Sequence, residues 1–356
     1  MGSVKDLKII EKPTETKLGQ GVWTFSDRYS VFDWGEMPDR IPNKGAALCT
    51  MASWNFEQLE EMGIKTHYVG VMQDGKIVKT DKLKAPSNKM VIQLSRVIEP
   101  EFVDGRNDYE FFMSNRGKIN NYVIPLENIY RRGTPEGSSL LKKISELAKK
   151  GDKKNLKLLF KKYGLKKAPK PGDIFPRPGY DFTTKFEQSD RPLSDEQAYE
   201  ISGLTKKQFD ALKETRDQVS TFVARRAEEV GLTDFDGKHE YIFIDGICVA
   251  DVVGTFDENR FVFKGAQISK EILRQYYKKH QAEWVEEVEQ AKKDARSKGI
   301  ENWKTLVKSK PKKIDPKLAK LVSEMYASGA DLYTEMNIFK TRPLEDVMKD
   351  LKKELK

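Results

Sequence analysis

Asp245-Gly246, set between the β-prone runs at residues 241–244 and 247–250, constrains this chain more than any other stretch. Asp-Gly between two such runs predicts a tight hairpin, because glycine accepts the positive φ that a type I′ turn demands. With Asp245 and Gly246 as the two loop residues, Glu240 falls directly opposite Asp251. Two facing carboxylates repel by an amount comparable to the roughly 0.2–1 kcal/mol of a favourable cross-strand pair, so a chain that keeps them has reason to hold a cation between them. Asp236 and Lys238 share the parity of Glu240 and project to the same face of an extended strand, which Ile242 and Ile244 continue into apolar territory. Mg²⁺ suits such a place, since it takes one or two protein carboxylates and completes its shell with water and nucleotide phosphates. The competing reading is a hairpin whose solvated face carries ordinary charges. A slip of one residue in register would put Glu240 and Asp251 on different faces.

At 356 residues the chain has the length of two domains. Its net charge of +9 favours anionic partners in general, phosphorylated metabolites among them. No recognised nucleic-acid motif accompanies that charge, and the lysines are spread along helices. Cys49 and Cys248 are the only cysteines, and Cys248 lies among apolar residues as a reduced core thiol does. With no 18-residue apolar run and no signal-peptide core, the expectation is a soluble cytoplasmic protein with no membrane partner. His67, His239 and His280 show no ligand spacing, which argues against zinc and against a catalytic triad. Strand alternation sends His239 to the face opposite Glu240.

Residues 1–15 read as an irregular lead-in, and 17–34 as two or three aromatic antiparallel strands broken by Gly19-Gln20-Gly21. Gly-x-Gly there admits either a close nucleotide phosphate or simply a tight turn in a sheet. Asn43 is the expected N-cap of a helix that Gly63 ends, and the free N–H groups near Lys44 form either an anion site or an ordinary capped start. Strands are expected at 65–73, 89–98 and 118–131, with Asp74-Gly75 as a turn. Arg131 and Arg132 close the last of these beside Gly137-Ser138-Ser139. That suits a phosphate monoester, although a surface arginine pair is the plainer reading. Residues 140–168 form a lysine-dense amphipathic helical pair with the lysines outside, followed by a proline-rich link and a strand at 180–187. Ser194-Asp-Glu-Gln and Thr205-Lys-Lys-Gln are capping boxes, the second opening a helix that runs to about Gly231. A long helix is expected from Ser269 to about Lys298, then further short helices.

In this order the pieces resemble the phosphoribosylaminoimidazole-succinocarboxamide synthase (SAICAR synthetase) family of purine biosynthesis. The likeness rests on Lys44-Gly45, Glu60-Glu-Met-Gly-Ile-Lys-Thr-His, Pro125-x-Glu127-x-x-x-Arg131 with Gly137-Ser138, Thr183-Thr-Lys185-x-Glu187, and Asp236-x-Lys238-x-Glu240 with Asp251. It covers roughly residues 16–285. The resemblance implies an α+β fold in two parts, with an ATP cleft between a small antiparallel-sheet domain (1–125) and a larger α+β domain (126–298). A lysine-rich insertion (140–178) and a C-terminal helical extension (299–356) would decorate it, leaving a homo-oligomeric contact open. It implies ATP-dependent amide formation between carboxyaminoimidazole ribonucleotide and L-aspartate, giving SAICAR, ADP and phosphate.

By matching position, Glu240 and Asp251 would hold Mg²⁺ on the ATP phosphates, and Lys17, Gly19 and Gly21 would cover the nucleotide. Asp236 and Lys238 would act on the imidazole nucleotide or the transferring phosphoryl. Arg131, Ser138 and Arg260 would grip the ribose phosphate, with Lys44 and Lys185 as further substrate-binding candidates and Glu187 near the cleft. The chain departs from the family at two places. Gly19-Gln20-Gly21 stands where Gly-Lys-x-Lys is common, and Asp251-Val-Val-Gly-Thr-Phe-Asp257 replaces Asp-Glu-x-Ser-Pro-Asp. These departures motivate a rival reading, an amide ligase of the same fold acting on a different amine or carboxylate. A second rival, motivated by the charge and the lysine block, is a nucleic-acid-binding protein with a relic ATP site.

Overall fold

The computed structural model describes residues 4–103, 106–187, 190–300 and 302–355. Strands β1 (Lys5–Glu11), β2 (Gly19–Phe25), β3 (Tyr68–Gln73), β4 (Lys76–Val78) and β5 (Lys89–Leu94) form an antiparallel sheet in the order β1-β2-β5-β3-β4. The expected irregular lead-in is therefore corrected: Lys5–Glu11 is a strand paired along β2. Helix α1 (Lys44–Glu61) lies against this sheet. Asn43 does precede it, but with φ of 64° and no side-chain cap; the Asp27 carboxylate instead accepts from the Gly45 N–H at 3.0 Å. Of the two readings of this helix start, an anion site or an ordinary capped start, the Asp27 contact favours the second.

A short hairpin, β6 (Glu101–Val103) and β7 (Arg106–Asp108), and a helical turn α2 (Glu110–Ser114) lead to the second sheet. It comprises β8 (Tyr122–Val123), β9 (Leu126–Gly133), β10 (Ile174–Thr184), β11 (Pro192–Leu193), β12 (Leu232–Phe243), β13 (Ile247–Ala250), β14 (Asn259–Phe263) and β15 (Ala266–Ile268). The path is β11-β10-β9-β12-β14-β15, with β8 and β13 pairing β12. Between β9 and β10 the lysine-dense pair forms as expected, α3 (Ser139–Lys149) and α4 (Lys153–Tyr163), around a small core of Leu140, Ile144, Tyr163 and Phe175.

Both capping boxes are present in full, Ser194 opening α5 (Asp195–Ile201) and Thr205 opening α6 (Lys206–Glu229). Because these signals depend only on residues three apart, local sequence is enough to set them. Phe209, Leu212, Val219 and Val223 bury one stripe of α6, which lies against β12. The long helix expected from Ser269 is two helices, α7 (Glu271–His280) and α8 (Ala282–Lys298), broken at Gln281.

The segment after Gly299 is not a string of short helices. Helix α9 (Pro316–Thr334) has 19 residues and buries Leu318, Val322, Met325, Tyr326 and Tyr333 against α1, and α10 (Leu344–Glu354) packs on α9. Tyr333 donates to the Asn55 side chain at 3.0 Å, the Ser323 hydroxyl to the Pro42 carbonyl at 2.6 Å, and the Arg226 guanidinium to the Tyr333 carbonyl at 2.8 Å. One apolar core accordingly runs from Phe25 to Leu351. No helix among the described residues is long and apolar enough to cross a membrane.

Candidate active site

Strand β12 is the spine of the site. Its alternation sends Asp236, Lys238 and Glu240 to one face, as expected, and each finds opposite charges on neighbouring elements. The Lys238 ammonium lies 2.9 Å from Glu127 of β9, 2.8 Å from Glu240 and 3.7 Å from Glu258, just before β14. Lys185, immediately after β10, forms a close ion pair with Glu240. Asp236 receives the Arg260 guanidinium through two contacts, Nε at 2.7 Å, and has Arg131 Nη1 at 3.7 Å. Arg131 stands directly across the ladder from Asp236.

The hairpin register differs from the expected one. Glu240 pairs with Ala250 and Phe243 with Ile247, so the loop has three residues, with the Ile244 N–H donating to the Gly246 carbonyl at 3.0 Å. Asp245 does adopt positive φ (48°), but the extra loop residue slips the ladder by one and leaves Asp251 unpaired. That slip would separate the two carboxylates if the strand ran on straight. It does not: Asp251 takes a left-handed backbone, φ 57°, which turns the chain out of β13. Its carboxylate then meets Lys5 of β1 and lies in the field of Lys238 and Lys185, the two ammoniums that pair with Glu240. The two carboxylates are thus linked through shared lysines and not by cross-strand opposition.

Charge balance is visible in the ionisation of these groups. Burial resists the charge on Asp251, but Lys5, Lys238 and Lys185 outweigh it and lower its pKa. Burial likewise resists the charge on Lys238, and Glu258, Glu240, Glu127 and Asp251 overcome it, holding the ammonium well above its usual range. Burial raises the Glu127 carboxyl despite Lys238. His67, its Nε2 at 3.1 Å from the Asp251 carbonyl, is pushed down to about 4 by burial and stays neutral. The Lys5 ammonium also sits 4.4 Å from the Trp23 ring, so β1 and β2 together close this side.

The remaining candidates are placed as follows. Gly19 and Gly21 lie in β2, where a Cβ would collide with the Glu11 carbonyl at 2.3 Å and with the Leu7 side chain at 2.9 Å respectively; the close approach that requires glycine is to β1. Lys17 is exposed and paired with Glu11. Lys44 is wholly buried, its ammonium 2.6 Å from Asp257, whose other oxygen accepts from Tyr326 at 2.8 Å; it has a structural partner where a ligand was expected. Ser138 is buried and caps α3, its hydroxyl accepting from Leu140 N–H. Glu187 holds Tyr109 and Arg191. His239 is buried on the opposite face, its ring 5.1 Å from Tyr130, and burial pushes it down to about 3.

Sequence reading did not single out Lys5, Glu258, Asp181 or Lys162 as site residues. Glu127 stood in a quoted motif and shares the parity of Arg131, a signal that could have placed it on the same face. Lys5 lies 246 positions from its partner, and no local pattern marks it.

An apolar patch of Leu18, Val123, Ile242, Cys248 and Ala250 adjoins the charged cluster, since Ala250 immediately precedes Asp251. Leu18 and Cys248 open with Gln93, Thr66 and Ile244 onto a cavity of about 480 Å³ between the two sheets. Both thiols are free and buried, each pushed up to about 12 by burial. Among the described residues no group of three or more His, Cys, Asp or Glu side chains is gathered as a metal cage. Glu240 and Asp251 are two carboxylates in the field of the same lysines, and Mg²⁺ takes one or two protein carboxylates where a nucleotide supplies further oxygens.

Residues 13–291 match the family model described as SAICAR synthetase. A protein of Archaeoglobus fulgidus, provisionally named phosphoribosylaminoimidazole-succinocarboxamide synthase, is 41% identical over 357 residues, covering 100% of each chain. The Thermoplasma volcanium phosphoribosylaminoimidazole-succinocarboxamide synthase is 32% identical over 267 residues, 72% of this chain and 77% of that one. Among solved structures, the fold is similar to that of the SAICAR synthase of Saccharomyces cerevisiae complexed with SAICAR, with TM-score 0.58, 21% identity, and coverage of 94% of this chain and 93% of that one. It is also similar to a SAICAR synthetase in complex with ADP, with TM-score 0.52, 19% identity, and coverage of 77% and 88%.

Proposed function

Because the chain belongs to the SAICAR synthetase family, we propose that it joins the carboxylate of carboxyaminoimidazole ribonucleotide to the amine of L-aspartate, releasing ADP and phosphate. The observation that carries this reading is the ionic network on one face of β12, where Asp236, Lys238 and Glu240 meet Arg131, Arg260, Lys185 and Asp251. A carboxylate is a poor electrophile because oxide is a poor leaving group. Transfer of the γ-phosphoryl of ATP to a carboxylate oxygen makes an acyl phosphate and frees ADP. The aspartate nitrogen then attacks the acyl carbon, phosphate departs, and the amide remains.

The adenine would occupy the 480 Å³ cavity lined by Leu18 and Cys248, the latter three positions before Asp251 in the chain. Glu240 and Asp251 would hold the magnesium ion that accompanies the triphosphate, and that ion would neutralise charge on the phosphate oxygens. Lys238, kept protonated by four carboxylates, is suited to stabilise charge on the transferring phosphoryl. Asp236 orients Arg260 and Arg131 toward the anionic substrate. Lys185 and Lys5 shield Glu240 and Asp251 until the nucleotide arrives. Ser138 and Lys17 have other partners, the α3 N-terminus and Glu11, and Lys44 pairs with Asp257, whose chain neighbour Glu258 faces Lys238. Two buried free thiols support a reducing cytoplasmic setting.

The test is ADP release from ATP and Mg²⁺ that requires both the carboxylated imidazole nucleotide and L-aspartate. Folded protein that binds ATP yet makes no ADP with that pair would overturn the assignment. One observation favours a second reading: buried Val252 follows Asp251 where the family commonly carries a glutamate. If so, a panel of other amines and carboxylates would release ADP where aspartate does not.

A further inference from the structure

The lysine-rich hairpin α3–α4 was expected to present its lysines to solvent, and one of them does not comply. Lys162, on the last turn of α4, forms an ion pair with Asp181 of β10. Asp181 is also 3.5 Å from Arg131 Nε, and Arg131 is 3.7 Å from Asp236, which holds Arg260. Asp181 lies in the field of Lys143 of α3 as well. Charges therefore alternate in one row, Arg260, Asp236, Arg131, Asp181, Lys162, with cations at both ends and Lys143 in addition.

The placement is built, not incidental. Tyr163, next to Lys162, is fully buried and points its hydroxyl at Asp181, 3.3 Å away. Its ring lies so close to β10 that a Cβ on Gly179 would meet it at 2.1 Å. Gly179 thus lets α4 seat Tyr163 on the strand and hold Lys162 at the row's end. Four cations around two carboxylates leave an excess of positive charge among part-buried side chains, and such an excess is relieved when an anion with several oxygens binds.

We propose that Lys162, delivered by the lysine-rich insertion, is a phosphate-binding residue that completes, with Arg131 and Arg260, a subsite for the ribose 5-phosphate end of the nucleotide substrate. On binding, the Lys162 ammonium exchanges Asp181 for phosphate oxygens, and Asp181 keeps Arg131 oriented. The proposal rests on the ligase reading for the identity of the substrate, but not for the subsite itself.

The experiment measures ribose 5-phosphate and ribose binding to the full-length protein by calorimetry, for wild type, Lys162→Met and Lys162→Arg. Loss of one charge-assisted contact should weaken ribose 5-phosphate binding roughly tenfold to a hundredfold in the methionine variant, with the arginine variant close to wild type. In turnover, the same variant should raise KM for the imidazole ribonucleotide by a similar factor and leave KM for ATP and aspartate unchanged. Lys162→Met with undiminished ribose 5-phosphate affinity would overturn the proposal. Intact phosphate binding in a protein that shows no turnover would instead sink the ligase reading and leave Lys162 in place. Tyr163→Phe keeps the packing and removes only the hydroxyl; it should bind within about twofold of wild type, and a loss matching that of Lys162→Met would assign the effect to hairpin seating and refute a direct contact.

Discussion

Lys44→Met offers the sharpest separation between a binding and a supporting role. The Lys44 side chain is wholly buried with its ammonium 2.6 Å from Asp257, and Tyr326 closes the other side of that carboxylate. Removing the ammonium leaves a buried carboxylate without its paired counter-charge and only the field of Lys270, a change that costs about 3–5 kcal/mol. An unfolding entropy of about 2.1 cal/mol/K per residue gives a chain of this length about 0.75 kcal/mol per degree, so Tm should fall by about 4–7 °C. Replacing Asp257 by Asn in the same protein removes the stranded charge and should restore much of the loss. The effect should also depend on pH. Burial resists ionisation of Asp257, but Lys44 and Lys270 overcome it and hold its pKa below the ordinary value. A carboxylate with a lowered folded pKa contributes its stability in full above the unfolded value of about 4 and loses it as the pH falls through the folded value. Thermal unfolding followed by circular dichroism at pH 7 and at pH 3 measures both. A Lys44→Met protein that melts with the wild type but shows a raised KM for the nucleotide would refute the structural role and return Lys44 to the ligand.

Glu240→Gln and Asp251→Asn should each abolish ADP release while the protein stays folded by circular dichroism; near-normal turnover in either would remove the proposed metal pair. Asp234, pushed up to about 7 by burial despite hydrogen bonds from Tyr130 and Asn259, should make the fold lose stability as the pH rises from about 4 through 7, because the protonated form is the one the fold favours. Denaturant unfolding of Asp234→Asn should show a shallower pH dependence across that window; an unchanged profile would rule out Asp234 as the titrating group. Gly179→Ala should loosen α3–α4 selectively, read as faster proteolysis within residues 139–173 with little change elsewhere, since the added methyl meets the Tyr163 ring. Cys248, with a thiol held near 12 by burial, should resist alkylation at pH 8 until the chain is unfolded; rapid native-state labelling would contradict its burial.

What was legible in the sequence was local. The two capping boxes and the Asp74-Gly75 turn depend on neighbours a few residues apart, and they form as written. Alternation along 236–240 correctly put three charged side chains on one face because strand period does not depend on partners. The hairpin loop gained Ile244, since a β-branched residue gives no sign that it will leave a ladder one step early. Asp251 was placed opposite Glu240 and is not there, because nothing local announces that an aspartate will take a left-handed backbone. The same holds for Asp27 replacing Asn43 as the effective cap, and for the break at Gln281, which has neither proline nor glycine to announce it. The family motifs named most residues of the β12 ionic network, whereas Lys162 of the insertion and Lys5 of the N-terminal strand join their ion pairs by tertiary contact alone.

The seating of α9 on α1 has a bearing on how such a chain comes to be made. About 250 residues separate the two helices, so on a ribosome adding roughly 5–20 residues per second the apolar face of α1 waits something like a quarter of a minute to a minute for its cover. During that interval Trp54 has no Tyr333 ring to meet, and only emergence of α9 lets the first helix settle. The interior around the first sheet's helix is therefore completed only by a segment far downstream in the chain.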